Sequence, residues 1–187
     1  MRIRTLRAED RKAVEQVASL LLEGFKEHHP TAWPDMEAAL KEVEESFAQD
    51  RLSRIAVDDS GEVLGWIGGI RQYGGHVWEL HPLVVRASHQ RTGIGRVLVA
   101  DLEERVRERN GLTLWLGTDD ENSQTSLSAT DLYPAPLSHV ASIKNLRDHP
   151  YEFYQKVGFV LVGVMPDANG WGKPDIFMAK RVKSDQA

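Results

Sequence analysis

WELHPLVVRASHQRTGIGR, residues Trp78–Arg96, is the stretch on which the reading of this 187-residue chain turns. It opens as a strand: apolar and polar positions alternate from Val77, then run apolar to Val85. Pro82 stands inside that strand and has no N–H to give to a ladder. A strand that keeps a proline bulges there or parts from a neighbour. Parting would free the N–H groups of His81 and Leu83, and a carbonyl gathering negative charge is one group they could meet. An edge strand without function is the other reading of Pro82, and spacing alone leaves both open. Glu79, just before the proline, is a carboxylate able to orient an amine and take its proton, directly or through a water. It can equally be a strand acid facing solvent. His81 shares its face in a regular register, and we assign it a backbone role.

The same stretch closes on Gln90-Arg91-Thr92-Gly93-Ile94-Gly95, between a strand and a helix. Glycines let successive N–H groups converge without a Cβ in the way, and a helix N-terminus adds partial positive charge. Together these make a site for a phosphate or pyrophosphate, or an ordinary glycine turn. It is not a P-loop, since Gly95 is followed by Arg96 and Val97 rather than Lys-Ser/Thr. It is not a dinucleotide fingerprint either, since Leu98 holds the place of the third glycine. Behind it Ile94, Val97, Leu98, Leu102 and Val106 share one helical face.

Outward from this stretch, Arg2–Leu6 reads as a short strand, and Val14, Val17, Ala18, Leu21, Leu22 and Phe25 as an amphipathic helix. His28–Pro34 is a loop interrupted by two prolines. Asp35 caps a second helix whose Met36, Ala39, Leu40, Val43 and Phe47 share a face, with its acids on a solvated side. Ser53–Val57 and Val63–Tyr73 are strands, and Gly65, Gly68 and Gly69 imply that something approaches the second one or that it bends. Gly74-Gly75 is a hairpin turn. Leu112–Leu116 is a buried strand. The long segment 118–149, broken by Pro134 and Pro136, is functional or holds short helices. Tyr151–Val157 is a helix stopped at Gly158, Phe159–Val164 and Ile176–Val182 are closing strands, and the polar tail frays.

Composition narrows the class. Hydrophobic residues are 41% of the chain and the formal net charge is −5, which fits a globular protein and argues against a nucleic-acid partner. Without cysteine there is no disulfide, thiolate site or Cys nucleophile. The seven histidines show no ligand spacing and the acidic cluster no calcium-loop pattern, so no metal is expected. MRIRTLRAED lacks an apolar leader and no run reaches spanning length, so a cytoplasmic protein without a membrane partner is expected. We expect one domain, 1–183, and a tail, 184–187.

Gln90-x-x-Gly93-x-Gly95 after a strand resembles the acyl-CoA pyrophosphate loop of the GNAT N-acetyltransferases, and Tyr154 in PYEFYQKVGF resembles their late helix element. WELHPLVV, LGTDDENSQTSLSATDLY, ASIKNLRDHPYEFYQKVGF and NGWGKPDIFMAK further resemble the aminoglycoside 6'-N-acetyltransferases, from Trp78 almost to the end of the chain. The resemblance implies an α/β (α+β) GNAT fold: a mixed, mostly antiparallel sheet splayed at its centre with helices on both faces. It implies acetyl-CoA as co-substrate, with pantetheine along Leu83, Val84 and Val85 and pyrophosphate on the amides of Arg91, Thr92, Gly93, Ile94, Gly95 and Arg96. By the same resemblance Glu79 handles the substrate amine, the His81 and Leu83 amides polarise the thioester carbonyl, and Tyr154 protonates the departing thiolate. Many members place an asparagine two turns before that tyrosine. Here Arg147 stands near that place, and the CoA contact is carried to Asn145.

A polycationic amine needs acids around it, and Asp119, Asp120, Glu121 and Asp131 supply them in the long segment, unless Asp119-Asp120-Glu121 only caps a loop. Tyr73 and Trp33 can wall a sugar site or serve hairpin and core packing; Trp78, Trp115 and Trp171 are core or interface. The resemblance also implies a homodimer. Two other functions remain at this level: acetylation of another polyamine or metabolite amine, and a non-catalytic acyl-CoA-binding module. The joint presence of Glu79 and Tyr154 speaks against the second.

Overall fold

Four strands and three helices make the first of two units, Met1–Leu112 together with Val182. The computed structural model describes residues 1–26 and 32–182. The first part of the His28–Pro34 loop and the tail beyond Val182 lie outside them. In order come β1 (Arg2–Thr5), α1 (Arg11–Phe25), α2 (Met36–Glu45), β2 (Arg51–Val57), β3 (Val63–Gln72), β4 (Val77–Val85) and α3 (Ile94–Glu108). β1, β2, β3 and β4 pair in that order, each antiparallel to the last.

α1 and α2 begin where the sequence has acids to cap them. Asp10 accepts from the Ala13 N–H at 3.2 Å and Asp35 from Ala38 at 2.9 Å, each answering an amide with no intrahelical partner. The apolar stripes of α1 and α2 cover one sheet face, where Val17, Ala18, Leu21 and Val43 pack with Ile55, Val57, Trp66 and Val84. Trp66 is fully buried and its indole N–H reaches Ser53 Oγ at 2.9 Å. Burying a side chain of that size contributes about 4–6 kcal/mol of gross apolar transfer.

α3 covers the other face. Leu102 sits where a Cβ on Gly69 would stand, and Ile94 and Leu98 crowd Gly65. The glycines of β3 therefore admit a neighbour at close range, as their spacing predicts. Val97 is exposed, and Val99 takes its expected place in the core. An i, i+4 ladder from Ile94 does not distinguish these two flanking positions.

The second unit is Thr113–Arg181. It contains β5 (Thr113–Asp119), α4 (Pro136–Ala141), α5 (Tyr151–Lys156), β6 (Val160–Met165) and β7 (Asp175–Arg181). β7 lies between β5 and β6, antiparallel to both. The long segment holds α4, and Gly158 ends α5 at φ 96°. Trp115 stands edge-on to Phe177 with ring centroids 5.8 Å apart, whereas Trp171 is exposed and belongs to no core. Among the described residues no helix is long and apolar enough to cross a membrane, and no three His, Asp or Glu side chains gather as a metal would require.

Candidate active site

The strand proline does what a missing donor requires. β4 pairs Leu80 with Gly69 and Leu83 with Ile67, so His81 and Pro82 together face the single residue Gly68. This is a bulge, and the His81–Pro82 peptide within it is cis. Gly68 has no latitude: a Cβ there would stand 2.2 Å from the His81 carbonyl oxygen.

The bulge also re-aims the strand. Leu80 shares a face with Gly69, against Leu102 of α3, while Val84 packs on Gly24 of α1. Strict alternation would put Leu80 and Val84 on one face; the irregular residue puts them on opposite ones. Glu79 and His81 consequently face α1 and α2, and Leu83, paired with Ile67, faces α3.

Two side chains that sequence reasoning missed hold Glu79 and His81. Gln72 Nε2 donates to Glu79 Oε2 at 2.6 Å, across the β3–β4 hairpin. Glu42 of α2 lies 3.9 Å from His81 Nε2 and its side chain is only 17% exposed, so it is not part of a solvated helix face. The His81 ring centroid is 6.1 Å from that of Trp33, which is itself edge-on to Phe25 at 4.7 Å. Glu42 lies next to the buried Ala39 and Val43 on its helix, the one sequence signal that could have marked it. Tyr73 sits in the hairpin turn at φ 47° and is 77% exposed, so it is not core packing.

The glycine turn has the geometry of an anion site. Gly93 is the N-cap of α3 at φ 96° and ψ −4°, no side chain caps the first turn, and none of its residues is acidic. A Cβ on Gly93 would meet nothing within 4 Å. The first amides of a fifteen-residue helix thus open onto free space, with exposed Arg91 and Arg96 beside them. The turn is braced from behind: Gln90 Nε2 donates to Val85 O at 3.2 Å and Thr92 Oγ1 to His89 O at 2.6 Å. The residues present fit a pyrophosphate.

In the second unit the candidate residues separate by role. Asp120 is fully buried. Its Oδ1 accepts from the Gln124 N–H (2.6 Å), and its Oδ2 from Thr125 N–H (2.8 Å), Thr125 Oγ1 (2.7 Å) and Ser128 Oγ (2.6 Å). Burial alone would raise its pKa, but the donors from Ser128, Gln124 and Thr125 outweigh it and hold the carboxyl below its ordinary value. The expected substrate contact at Asp120 is therefore corrected: this carboxylate closes its own loop and shows no oxygen to a ligand. Asp119, by contrast, is partly exposed and accepts from Asn169 Nδ2.

Asn145 is likewise committed locally. Its amide donates to His149 O at 3.0 Å and accepts from His149 N–H at 2.8 Å. His149, buried, accepts at Nδ1 from the Tyr151 N–H at 3.2 Å, so Nε2 carries the proton and donates to Asp119 O at 3.1 Å. It fastens the start of α5 to the end of β5, a function that a search for metal-ligand spacing could not reveal. Tyr154 on α5 lies edge-on to Phe153 and Phe159, at 5.1 and 5.7 Å. Its hydroxyl has no hydrogen-bond partner among the described residues, and desolvation raises its pKa.

A bulged strand carrying a carboxylate, next to a helix-opening anion turn, is an arrangement that acyl transfer from a phosphorylated carrier can use, and comparison with known proteins assigns the class. Residues 14–128 match the acetyltransferase (GNAT) family model, and the chain belongs to that family, with its mixed α/β fold and mostly antiparallel strands. A crystal structure of an aminoglycoside 6'-N-acetyltransferase complexed with coenzyme A is 44% identical over all of both chains, with a TM-score of 0.91. The aminoglycoside 6'-N-acetyltransferase from Enterococcus faecium is also 44% identical over both full chains, with a TM-score of 0.89. A type Ii aminoglycoside 6'-acetyltransferase is 36% identical over both full chains, at 0.75. A search of curated proteins returns no match.

Proposed function

We propose that this protein transfers the acetyl group of acetyl-CoA to the 6'-amino group of an aminoglycoside, by direct attack in a ternary complex. The observation that carries the proposal is the 44% identity, over the whole of both chains, to aminoglycoside 6'-N-acetyltransferases, one of them holding coenzyme A. Acetyl-CoA supplies the acetyl group as a thioester. Glu79, held by Gln72, orients the 6'-amine and takes its proton directly or through a water. The His81 and Leu83 amides, on either side of Pro82, donate to the thioester carbonyl oxygen as charge develops there. The backbone of Leu83, Val84 and Val85 aligns pantetheine, and the α3 amides from Arg91 to Arg96 hold pyrophosphate. Tyr154 gives its proton to the departing sulfur; a raised pKa keeps that proton available at neutral pH. The C–N bond forms as the C–S bond breaks, and a charged ammonium becomes a neutral amide. Loss of that charge weakens the drug's attraction to any anionic partner, which is how the transfer would confer resistance.

Asp119, Tyr73 and Trp33 are proposed to face the sugar, and Glu42 adds a carboxylate on the side of the sheet where Glu79 lies. Asn145 contributes to the coenzyme side by shaping the segment before α5 rather than through a free amide. We further propose one catalytic domain over 1–183, since the family match spans the boundary at Leu112, and a cytoplasmic homodimer. Exposed Val160, Val162 and Met165 on β6 support the dimer.

Thiol release from acetyl-CoA, followed across aminoglycosides with a 6'-amine and with a 6'-hydroxyl, tests the assignment. Turnover confined to the 6'-amines is expected. Equal rates for both would move the reacting nitrogen elsewhere, and turnover with neither would remove the substrate class.

A further inference from the structure

A cavity of about 900 Å³ opens in the first unit where β1 ends and β2 begins, away from β4 and the glycine turn. Six arginines line it: Arg4, Arg7, Arg51, Arg54, Arg105 and Arg109. In a chain with a net charge of −5 this concentration runs against the overall balance.

Only half of that charge is answered. Arg4 pairs with Asp10 at 2.5 Å, and Arg54 grips Asp101 with two bonds of 2.6 and 2.9 Å. Arg105 pairs with Glu108 at 2.6 Å. Arg7 and Arg51 make no side-chain hydrogen bond or ion pair among the described residues, and Arg109 donates only to the Arg105 carbonyl, at 3.0 Å. Glu9 is the one uncommitted carboxylate on the lining. Arg105 Nε, moreover, is buried with no acceptor, a donor shut away from water.

We propose that this cavity binds a small polyanion bearing two or more phosphate or carboxylate groups, at a site separate from the glycine turn. The guanidinium fork matches either group with paired N–H bonds. The volume lies within the range of small-molecule pockets, roughly 300–1,000 Å³, and a single inorganic anion would leave most of it empty. Three uncommitted guanidiniums therefore suit two or three anionic groups on one molecule.

Calorimetric titration of the 187-residue chain with inorganic tripolyphosphate tests this. With coenzyme A present at saturation to fill the glycine turn, saturable binding with one further site per chain is expected, weakening steeply as salt rises. The double variant Arg51→Ala/Arg109→Ala is expected to bind at least tenfold more weakly, since charge-assisted bonds are lost. Arg7→Glu, at an exposed position, is expected to weaken it comparably without touching the core. No saturable binding to the native chain, or unchanged affinity in Arg7→Glu, overturns the proposal. Unchanged affinity in the folded double variant does so too, and would move any bound anion away from this cavity.

Discussion

Replacing Gly68 with alanine probes the bulge that shapes β4. The new Cβ would lie 2.2 Å from the His81 carbonyl oxygen, 3.0 Å from its carbon and 3.3 Å from Pro82 Cδ. Carbon–oxygen contacts settle at about 3.3 Å or more, so the His81 carbonyl must retreat by about 1 Å. Overpacking of this kind costs about 1–3 kcal/mol, offset by about 0.4–1 kcal/mol because alanine restricts the unfolded chain. A net loss of about 1–2 kcal/mol is expected, read by urea unfolding through the buried Trp66 and Trp78. Activity should fall further than stability. A displacement of about 1 Å in a reacting arrangement costs on the order of 100-fold, here in kcat/KM for thiol release. Gly163→Ala is the control, because its Cβ would meet only Phe177 Cδ2, at 3.8 Å, and it should be nearly neutral. A Gly68→Ala protein as stable as the native one, with kcat/KM within about threefold, would refute both the close approach and its link to the chemistry.

Tyr154→Phe keeps the edge-on packing and removes a hydroxyl with no protein partner, so stability should change by less than about 0.5 kcal/mol. Its kcat should fall about 100-fold or more if the phenol is the acid, and an unchanged kcat would withdraw that role. Because burial raises this pKa, the native enzyme should lose no activity through this group until pH passes the ordinary tyrosine value of 10.0. Gln72→Leu removes the 2.6 Å bond to Glu79 and should lower kcat/KM about tenfold with little change in unfolding. Asp120→Ala should cost the second unit about 3 kcal/mol or more, by stranding the Gln124 and Thr125 amides. With a folded pKa below 3.8, Asp120 contributes stability in full at neutral pH and loses it as pH falls from 3.8 through the folded value. Asp120→Asn should accordingly flatten the acid limb of an unfolding curve, and an unaltered limb would show that the carboxylate is not held as charged.

Much of the site was legible because its signals are local. A proline inside an apolar run narrows the strand to a bulge, a parting or an edge, and the pairing of β3 with β4 selects the bulge; glycines before a helix with no capping side chain expose its first amides. Asp120 was misread for the same reason. A carboxylate in an acidic run looks solvent-facing until the chain curls back and Gln124, Thr125 and Ser128 supply donors within hydrogen-bond reach. Val97 and Val99 were exchanged because both flank one helical stripe, and only the neighbouring sheet decides which is covered.

The sequence by itself determined α1, α2, α3 and α5, the strands to within a few residues and the family resemblance, since periodicity, caps and covalent constraints act between near neighbours; it left the short α4 unplaced, and Pro82 and the glycine turn each with two readings. Only the tertiary structure decided which way side chains point beyond the bulge and which partners they find. Leu80 and Val84 part to opposite faces because His81 and Pro82 together oppose Gly68, a fact of pairing between strands. Glu42, Gln72 and His149 matter through contacts that spacing does not encode. The six arginines come from β1, β2, α3 with its C-cap, and the connection after β1, and they become one cavity only when those elements meet.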